Sequence, residues 1–229
     1  AYYDNNVTQS LILLDFLSSH GAIDWFVFSS TAAIYGELSS AEPVSESSAP
    51  SPRSPYAKSK LLVEEVLADL ATVCGWRALA LRYFNVVGCH QPYGIKPSAV
   101  AKHLFRQIER VLSGELAQLP VFGTDFPTPD GSAVRDYIHV QDLAMAHVQL
   151  VEALGSLAVG MERVNIGYQR GCSVLEVIKA FEAARGIKLP VEYKAKRLGD
   201  CSQVVADCSK LMQLIRWQPT IETLYQLVH

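Results

Sequence analysis

Apolar residues recur along the first half of the chain in two alternating patterns, one typical of helices and one typical of buried strands. Val7, Leu11, Leu14 and Leu17 lie near helical spacing, and Gly21 is suited to end that helix. Helices are predicted over residues 7 to 20 and 55 to 74, and buried strands over residues 25 to 28 and 78 to 84. This alternation predicts a parallel sheet with helices packed on its faces.

The second half mixes predicted helices, strands and loops. Ser173 and Glu176 form a capping-box pattern that begins a helix ending near residue 185. Further helices are predicted over residues 98 to 113 and 140 to 154, and strands over residues 164 to 167 and 191 to 194. Residues 37 to 55 are rich in Ser, Pro and Glu and are predicted to be a loop. Residues 120 to 134 hold three prolines and two glycines and are predicted to be a loop or a hairpin.

Composition excludes several classes of partner. The chain has 229 residues, of which 49% are hydrophobic and 19% charged, and its formal net charge is -3. Because it has no run of lysine or arginine and no apolar stretch long enough for a bilayer, we predict neither a nucleic-acid nor a membrane partner.

The five cysteines are scattered without a C-x-x-C pair, and the six histidines show no metal-ligand spacing. We therefore predict no disulfide framework, no metal site and a reducing, cytoplasmic environment.

The stretch around Tyr56 and Lys60 suggests acid–base chemistry. Ser54 and Pro55 predict a helix start directly before it, so Tyr56 and Lys60 share one helical face. A nearby ammonium group favours the phenolate, which would let Tyr56 act as a base, and the Thr31 hydroxyl could share the proton. A tyrosine and a lysine also meet at this spacing on many solvated helix faces, so the pair alone is a weak signal.

Longer blocks of sequence are more specific. They are residues 2 to 7, 28 to 36, 81 to 85, 121 to 140, 165 to 167 and 197 to 200. Together they resemble the extended short-chain dehydrogenase/reductase family, and within it most closely the UDP-glucose 4-epimerases. The stretch from Val121 to Val140 is the most specific of these blocks.

The resemblance implies an α/β fold. It would be a partial Rossmann-type doubly wound parallel sheet, without the first βαβ units, joined to a smaller C-terminal α/β substrate domain. Residues 1 to 95 would belong to the NAD-binding domain and residues 96 to 229 mainly to the UDP-sugar domain. The chain would cross back to the sheet near residues 136 to 170.

The resemblance also implies an activity, the interconversion of UDP-glucose and UDP-galactose by transient oxidation at C4 with bound NAD. Tyr56 would be the base, Lys60 its activator and Thr31 the bridging hydroxyl. Ala32 and Ala33 follow Thr31 where sugar-nucleotide dehydratases carry acidic residues, so dehydration is disfavoured. The alternatives are an epimerase or decarboxylase acting on another UDP-sugar, and a non-catalytic remnant that binds a nucleotide-sugar.

The remaining implied roles concern binding. NAD would contact Asn6, Ser29, Ser30, Tyr56, Lys60, Tyr83 and Phe84. The UDP-sugar would contact Asn85, Ser98, Val121, Phe122, Arg135, Arg197, Asp200 and Val204. Three structural alternatives stay open: a buried amide at Asn85, an ion pair of Arg135 with Asp136 or Asp142, and a solvated side chain at Arg197.

Three departures from the family pattern carry expectations. The 229 residues lack the glycine-rich G-x-x-G-x-x-G turn, so we expect a fragment that holds NAD poorly, is inactive alone, and exposes apolar sheet surface and a strand edge. Ser98 stands where these enzymes usually carry an asparagine near the diphosphate. Val204 stands at a gatekeeper position, where its size leaves room for an N-acetyl group. The resemblance also implies a homodimer through residues 7 to 20 and 57 to 74.

Overall fold

A computed structural model describes residues 1–21, 23–36, 42–89, 103–197 and 200–228. The strands are β1 (Trp25–Thr31), β2 (Arg77–Tyr83), β3 (Asn85–Val87), β4 (Leu119–Phe122), β5 (Val134–His139), β6 (Gly160–Ile166), β7 (Gly171–Ser173), β8 (Val191–Lys194) and β9 (Gln203–Val204). The α-helices are α1 (Gln9–His20), α2 (Pro55–Cys74), α3 (Leu104–Leu112), α4 (Val140–Ala153), α5 (Val174–Arg185), α6 (Ser209–Leu214) and α7 (Leu224–Val228). A π-helical turn (Tyr3–Thr8) precedes α1, and short 3-10 helices follow β1 (Ala32–Tyr35) and α4 (Leu154–Ser156).

The main sheet is parallel, in the order β1-β2-β6. Thr31 lies opposite Tyr83, and Tyr83 lies opposite Ile166, so the three strands end together at their carboxyl ends. Among the described residues, β1 pairs with β2 alone and its other edge has no strand beside it. The predicted parallel sheet is therefore present.

Helices cover both faces of this sheet. Ala78 packs with Leu14 and Leu67 beneath α1 and α2, whereas the next residue, Leu79, packs with Leu150 of α4 on the opposite face. Neighbouring residues of a strand point to opposite faces, so a sheet buried on both sides reads as a continuous apolar run. The arrangement is the doubly wound, Rossmann-type sheet that the sequence predicted.

A second group of strands is centred on β5. It pairs in parallel with β3 and β9 and antiparallel with β7, while β4 and β8 form a separate parallel pair. The prediction of a loop or hairpin over residues 120 to 134 is wrong at its start, because residues 120 to 122 belong to β4, which pairs in parallel with β8. Leu119 and Val121 are buried in alternation with half-exposed neighbours, so this short stretch satisfies a strand pattern before the prolines at 127 and 129.

Local signals fix the ends of the long helices. The Ser54 hydroxyl accepts a hydrogen bond from the Ala57 N–H at 3.1 Å, and Gly75 ends α2 in the left-handed region at a φ of 75°. The predicted capping box between Ser173 and Glu176 is formed. Within the described ranges, no helix has both the length and the apolar character that crossing a bilayer requires.

Candidate functional site

Tyr56 and Lys60 lie on one face of α2, next to the carboxyl-terminal half of β1. The Lys60 ammonium donates a hydrogen bond to the Ser29 carbonyl at 2.9 Å and lies 4.9 Å from the centre of the Phe28 ring. Burial lowers the pKa of Lys60 below its ordinary value. Tyr56 is half-buried, and its ring centre lies 5.6 Å from that of Tyr2.

Asn6 fixes the start of α2 from the π-helical turn. Its side-chain N–H donates to the Ser59 hydroxyl at 2.9 Å, and Ser59 in turn donates to the Tyr56 carbonyl at 2.8 Å. π-helical turns are rare and are often found at functional sites. Asn6, predicted to contact the cofactor, is thus held against the same turn of helix that carries Tyr56.

Thr31 is the last residue of β1 and caps the 3-10 helix that follows. Its hydroxyl accepts a hydrogen bond from the Ala33 N–H at 3.2 Å, which fixes the side chain at the carboxyl end of the sheet. Gly36 ends this helix at a φ of 64°, where an added Cβ would lie 1.8 Å from the Ser51 carbonyl oxygen. The turn therefore requires glycine.

The predicted cofactor residues differ in whether their side chains are exposed or buried. Ser29 is exposed, and its hydroxyl contacts the Tyr83 hydroxyl at 2.8 Å. Ser30 is buried and donates to Glu64, so only its backbone is left for a ligand. Phe84 is also buried, and its N–H donates to the Ile166 carbonyl.

A buried polar network behind the site was missed by sequence reasoning. Glu64 accepts two hydrogen bonds from Arg82, at 2.7 and 3.1 Å, and one from Arg163 at 3.3 Å. Arg82 also donates to the Tyr35 hydroxyl at 2.9 Å, and Tyr35 donates to Asn165 at 2.6 Å. The available signal was Arg82 itself, because a charged residue inside an apolar strand must find a partner.

His147 was also missed. Its Nε2 lies 2.6 Å from the Tyr83 hydroxyl, and its Nδ1 lies 2.7 Å from the Leu143 carbonyl oxygen. Burial raises the pKa of Tyr83, and the hydrogen bond with Ser29 only partly opposes this. No sequence signal links a histidine on α4 to a tyrosine 64 residues earlier.

Arg135, predicted to contact the UDP-sugar, lies on β5. Its guanidinium donates to the Val134 and Cys201 carbonyls, each at 2.8 Å, and burial lowers its pKa from the ordinary value. Asp136 and Asp142 bind other groups, so neither of the two predicted alternative ion pairs with Arg135 is among the described contacts.

Arg197 is exposed and forms an ion pair with Asp200. The charge of Asp200 also acts on Arg135, whose pKa it raises against the larger effect of burial. The Arg197 Nε lies 3.1 Å from the Asp200 carboxylate, and its guanidinium carbon lies 4.3 Å from the centre of the Phe122 ring. The Arg197 side chain is 57% exposed, so the alternative of a solvated surface residue stays open. Asn85 is exposed at the start of β3, so the alternative of a buried amide there is wrong.

Cys201 contacts both the turn after β1 and Arg135 of β5. Its thiol donates to the Gly36 carbonyl at 3.0 Å, and its own carbonyl accepts from Arg135. Val204 is half-buried opposite Arg135 on β9, whereas the Val121 side chain is fully buried. Ser98 lies outside the described residues.

Comparison with known proteins identifies the family. Residues 1–167 match the model of the NAD dependent epimerase/dehydratase family. A UDP-glucose 4-epimerase of Neisseria meningitidis serogroup C is 42% identical over 220 residues, which are 95% of this chain and 64% of that protein. The chain therefore spans less than two thirds of the length of that relative.

Solved structures are similar over nearly the whole chain. A UDP-glucose 4-epimerase from Stenotrophomonas maltophila, with bound NAD and formylated UDP-arabinopyranose, has a TM-score of 0.91 at 37% identity. The match covers 99% of this chain and 67% of that one. A UDP-Glc/GlcNAc 4-epimerase from Campylobacter jejuni has a TM-score of 0.82 at 37% identity, over 99% of this chain and 68% of that one.

Proposed function

Because the chain belongs to the NAD dependent epimerase/dehydratase family, we propose that it carries the proton-transfer residues and much of the sugar-nucleotide site of a UDP-hexose 4-epimerase. The substrates would be UDP-glucose and UDP-galactose. The observation that carries the proposal is Lys60 bound to the Ser29 carbonyl on the helical face of Tyr56, at the sheet edge where Thr31 ends β1. Ligands of such sheets bind beyond the carboxyl ends of the strands.

In this proposal Tyr56 takes the proton of the sugar 4-hydroxyl and later returns it. The Lys60 ammonium stabilises the resulting phenolate, and the Thr31 hydroxyl shares the proton between sugar and Tyr56. Bound NAD would supply the acceptor, and afterwards the donor, of the C4 hydride. Because Ala32 and Ala33 provide no acid or base, these residues support oxidation and reduction without loss of water.

The residues present fit one side of NAD. The exposed Ser29 hydroxyl, Asn6, Lys60 and the backbone of Tyr83 and Phe84 lie along the carboxyl end of the sheet, with Ser30 contributing backbone only. The glycine-rich turn that would receive the pyrophosphate is absent from these 229 residues. We therefore expect the chain alone to bind NAD weakly and to lack turnover.

Arg135 and Arg197 are proposed to bind the diphosphate of UDP. Arg135 is anchored by two backbone carbonyls, and a guanidinium so held presents its remaining N–H groups in a fixed direction. Arg197 would exchange Asp200 for phosphate while keeping its contact with Phe122. Asn85, Asp200, Phe122 and the Val121 backbone would complete the UDP contacts, and Ser98 stays a prediction.

Val204 favours a second substrate class. A valine beside Arg135 leaves more room than a tyrosine would, which supports acceptance of UDP-N-acetylhexosamines. A neighbour of similar fold is named a UDP-Glc/GlcNAc 4-epimerase. Failure of an active form of the enzyme to epimerise UDP-GlcNAc, together with turnover of UDP-galactose, would exclude this extension.

We also propose the division into residues 1–95 and 96–229, with residues 136–170 returning to the main sheet. The place of β6 beside β2 supports that return. A homodimer is proposed through α1 and α2, whose exposed apolar residues support it. A cytoplasmic location is proposed from the scattered free cysteines.

The test compares the purified chain with the chain complemented by the glycine-rich N-terminal segment of the Neisseria relative. Released NAD is measured by absorbance after denaturation, and UDP-galactose turnover by a coupled assay. We expect turnover only with the segment, and a loss of about 100-fold or more in Tyr56→Phe but not in Tyr3→Phe. A complemented chain that binds NAD and UDP-galactose without turnover would favour the binding-only alternative.

A further inference from the structure

The Tyr35 hydroxyl lies at the centre of a buried polar network. Tyr35, Arg82 and Asn165 are each at most 1% exposed. The Tyr35 oxygen accepts a hydrogen bond from Arg82 Nη1 at 2.9 Å, and the hydroxyl donates to Asn165 Oδ1 at 2.6 Å. The Arg82 guanidinium carbon also lies 5.0 Å from the centre of the Tyr35 ring. Both the ring and the hydroxyl of Tyr35 are therefore held against the main sheet.

The chemistry of the partners gives each of these bonds one direction. A guanidinium can only donate, so the Tyr35 oxygen accepts from Arg82 and the Tyr35 proton points to Asn165. The side-chain N–H of Asn165 donates to the Val44 carbonyl at 2.7 Å, so its oxygen is the atom that faces Tyr35. Burial raises the pKa of Tyr35 above its ordinary value, and the hydroxyl therefore keeps its proton.

Tyr35 is also the last residue of the 3-10 helix that Thr31 caps. The Ala33 N–H donates to Thr31 Oγ1 at 3.2 Å, so this oxygen acts as an acceptor and its own proton stays available for donation. Sharing a proton with Tyr56 requires that donation. Because a 3-10 helix has three residues per turn, Ala33 lies within one turn of Tyr35. A shift of Tyr35 away from the sheet would therefore displace the N–H group that orients Thr31.

Arg82 is itself held from α2. Its guanidinium donates to the Glu64 carboxylate at 2.7 and 3.1 Å, and Glu64 lies one turn after Lys60. Side-chain hydrogen bonds thus connect Glu64 to Arg82 and Arg82 to Tyr35. The last step, from Tyr35 to Thr31, runs through the short 3-10 helix. The network therefore reaches from the helix that carries the proposed lysine to the turn that carries the proposed hydroxyl.

We infer that Tyr35 is a positioning residue for Thr31: its two hydroxyl bonds hold the 3-10 helix on the sheet, and this helix orients the Thr31 hydroxyl for proton transfer. The inference rests on the proposed function, because that proposal gives Thr31 its part in proton transfer. The orientation of Thr31 is a property of this chain and can be measured without cofactor or sugar.

The first test is nuclear magnetic resonance of the 229-residue chain. Three-bond couplings of the Thr31 methyl carbon to its own amide nitrogen and carbonyl carbon report how the χ1 rotamers are populated. Tyr35→Phe keeps the ring and removes only the hydroxyl. The matched control is Tyr168→Phe. The Tyr168 hydroxyl also makes two hydrogen bonds, to Asp142 at 2.5 Å and from the His139 N–H at 3.1 Å, but neither partner belongs to the 3-10 helix.

We expect one Thr31 rotamer in the wild type and in Tyr168→Phe, and averaging over rotamers in Tyr35→Phe. Asn165→Ala removes the acceptor of the Tyr35 proton and keeps the ring, so it should give the same averaging and replaces Tyr35→Phe if that variant does not fold. Urea unfolding shows which variants remain folded. A single Thr31 rotamer in the folded variant would overturn the inference.

The second test measures UDP-galactose turnover by the chain complemented with the glycine-rich segment. Tyr35→Phe should lower kcat by about 10-fold or more and change KM by less than about 2-fold, because Thr31 acts in the transition state and not in binding. Tyr168→Phe should leave both values unchanged. In a Thr31→Val background, Tyr35→Phe should lower kcat no further, since the hydroxyl that it orients is absent. An equal loss in both backgrounds would show a purely structural role and refute the inference.

The epimerase proposal and this inference can fail separately. The rotamer measurement uses neither NAD nor UDP-sugar, so its outcome stands even if the complemented wild type shows no turnover and the epimerase proposal fails. Turnover by the complemented wild type, together with a single Thr31 rotamer in folded Tyr35→Phe, would uphold the epimerase proposal and reject Tyr35 as a positioning residue.

Discussion

Asp136 is held by backbone groups from two distant segments of the chain. Buried on β5, it accepts hydrogen bonds from the backbone N–H groups of Tyr168 at 2.8 Å, Gln169 at 2.9 Å and Ala206 at 3.2 Å. A Cβ on Gly167 would lie 2.6 Å from its carboxylate, so the turn after β6 is built closely around it. Asp136 therefore joins three separate segments through one side chain.

Asp136 should make folding stability depend on pH. Burial raises its pKa to about 6, from an ordinary value of 3.8. The folded state then binds more protons than the unfolded state between these values, so this group's contribution is full below pH 3.8 and is lost as the pH rises through 6. The loss amounts to roughly 3 kcal/mol at most. Urea unfolding from pH 4 to 7 should lose this slope in Asp136→Asn.

Asp142 supplies a control of opposite sign. Burial raises its pKa, but hydrogen bonds from Thr220, Tyr168 and Ile221 outweigh burial, and the net pKa lies below its usual range. Its contribution is present above the unfolded pKa and is lost as the pH falls through the folded pKa. Asp142→Asn should therefore remove a slope of the other direction. Equal slopes in wild type and Asp136→Asn would contradict the assignment.

At the scale of elements, the buried Glu64 fastens α2 to the main sheet. It lies one turn after Lys60 and bonds to Arg82 of β2, Arg163 of β6 and Ser30 of β1. Glu64 and Arg82 are essentially inaccessible to water, so each charge depends on the other. The face of α2 that presents Tyr56 and Lys60 is thus fixed by polar contacts as well as by the apolar packing of Leu67.

Breaking this network should be costly. Glu64→Gln leaves Arg82 buried without its carboxylate partner, and we expect a loss of unfolding free energy of about 3 to 5 kcal/mol. Glu65→Gln, one residue along and exposed, should change it by about 0.5 kcal/mol or less. Chemical denaturation of both variants measures the difference. Similar values for the two would mean that α2 is held by packing alone.

Local sequence signals were sufficient for the bounds of α2 and insufficient for the shortest strands. Ser54, Pro55 and Gly75 predicted α2 to the residue, because capping depends on neighbours in sequence. Strands β3, β7 and β9 have two or three residues each, and they exist only because β5 lies beside them. No periodicity can be read from so few positions.

The candidate site shows the same difference between signals that are local in sequence and contacts that join distant residues. Tyr56 and Lys60 were predicted from their helical spacing together with the surrounding sequence blocks, and Arg135 was predicted from its own block. The pairing of Glu64 with Arg82, and of His147 with Tyr83, joins residues 18 and 64 positions apart. Such contacts follow from the crossing of helices and strands, which a single sequence does not specify.

At the scale of the whole molecule, apolar side chains remain exposed on separate faces. Helix α1 exposes Ile12 at 60% and Phe16 at 55%, and Trp25 at the start of β1 is 52% exposed. Helix α4 exposes Met145 at 41% and Val148 at 59% on the other side of the sheet. Exposed apolar patches of this kind are typical of interaction surfaces. The proposed homodimer uses only the first of these faces.

The two faces allow a matched test of that dimer. Because a charge placed in an apolar interface is buried without a partner on association, Ile12→Glu with Phe16→Glu should make the chain monomeric in analytical ultracentrifugation. Met145→Glu with Val148→Glu introduces the same charge on α4 and should leave the dimer intact. Both pairs are exposed in the monomer, so neither should unfold it. Dissociation by the α4 pair alone would move the interface to that face, and a wild-type monomer would refute the dimer.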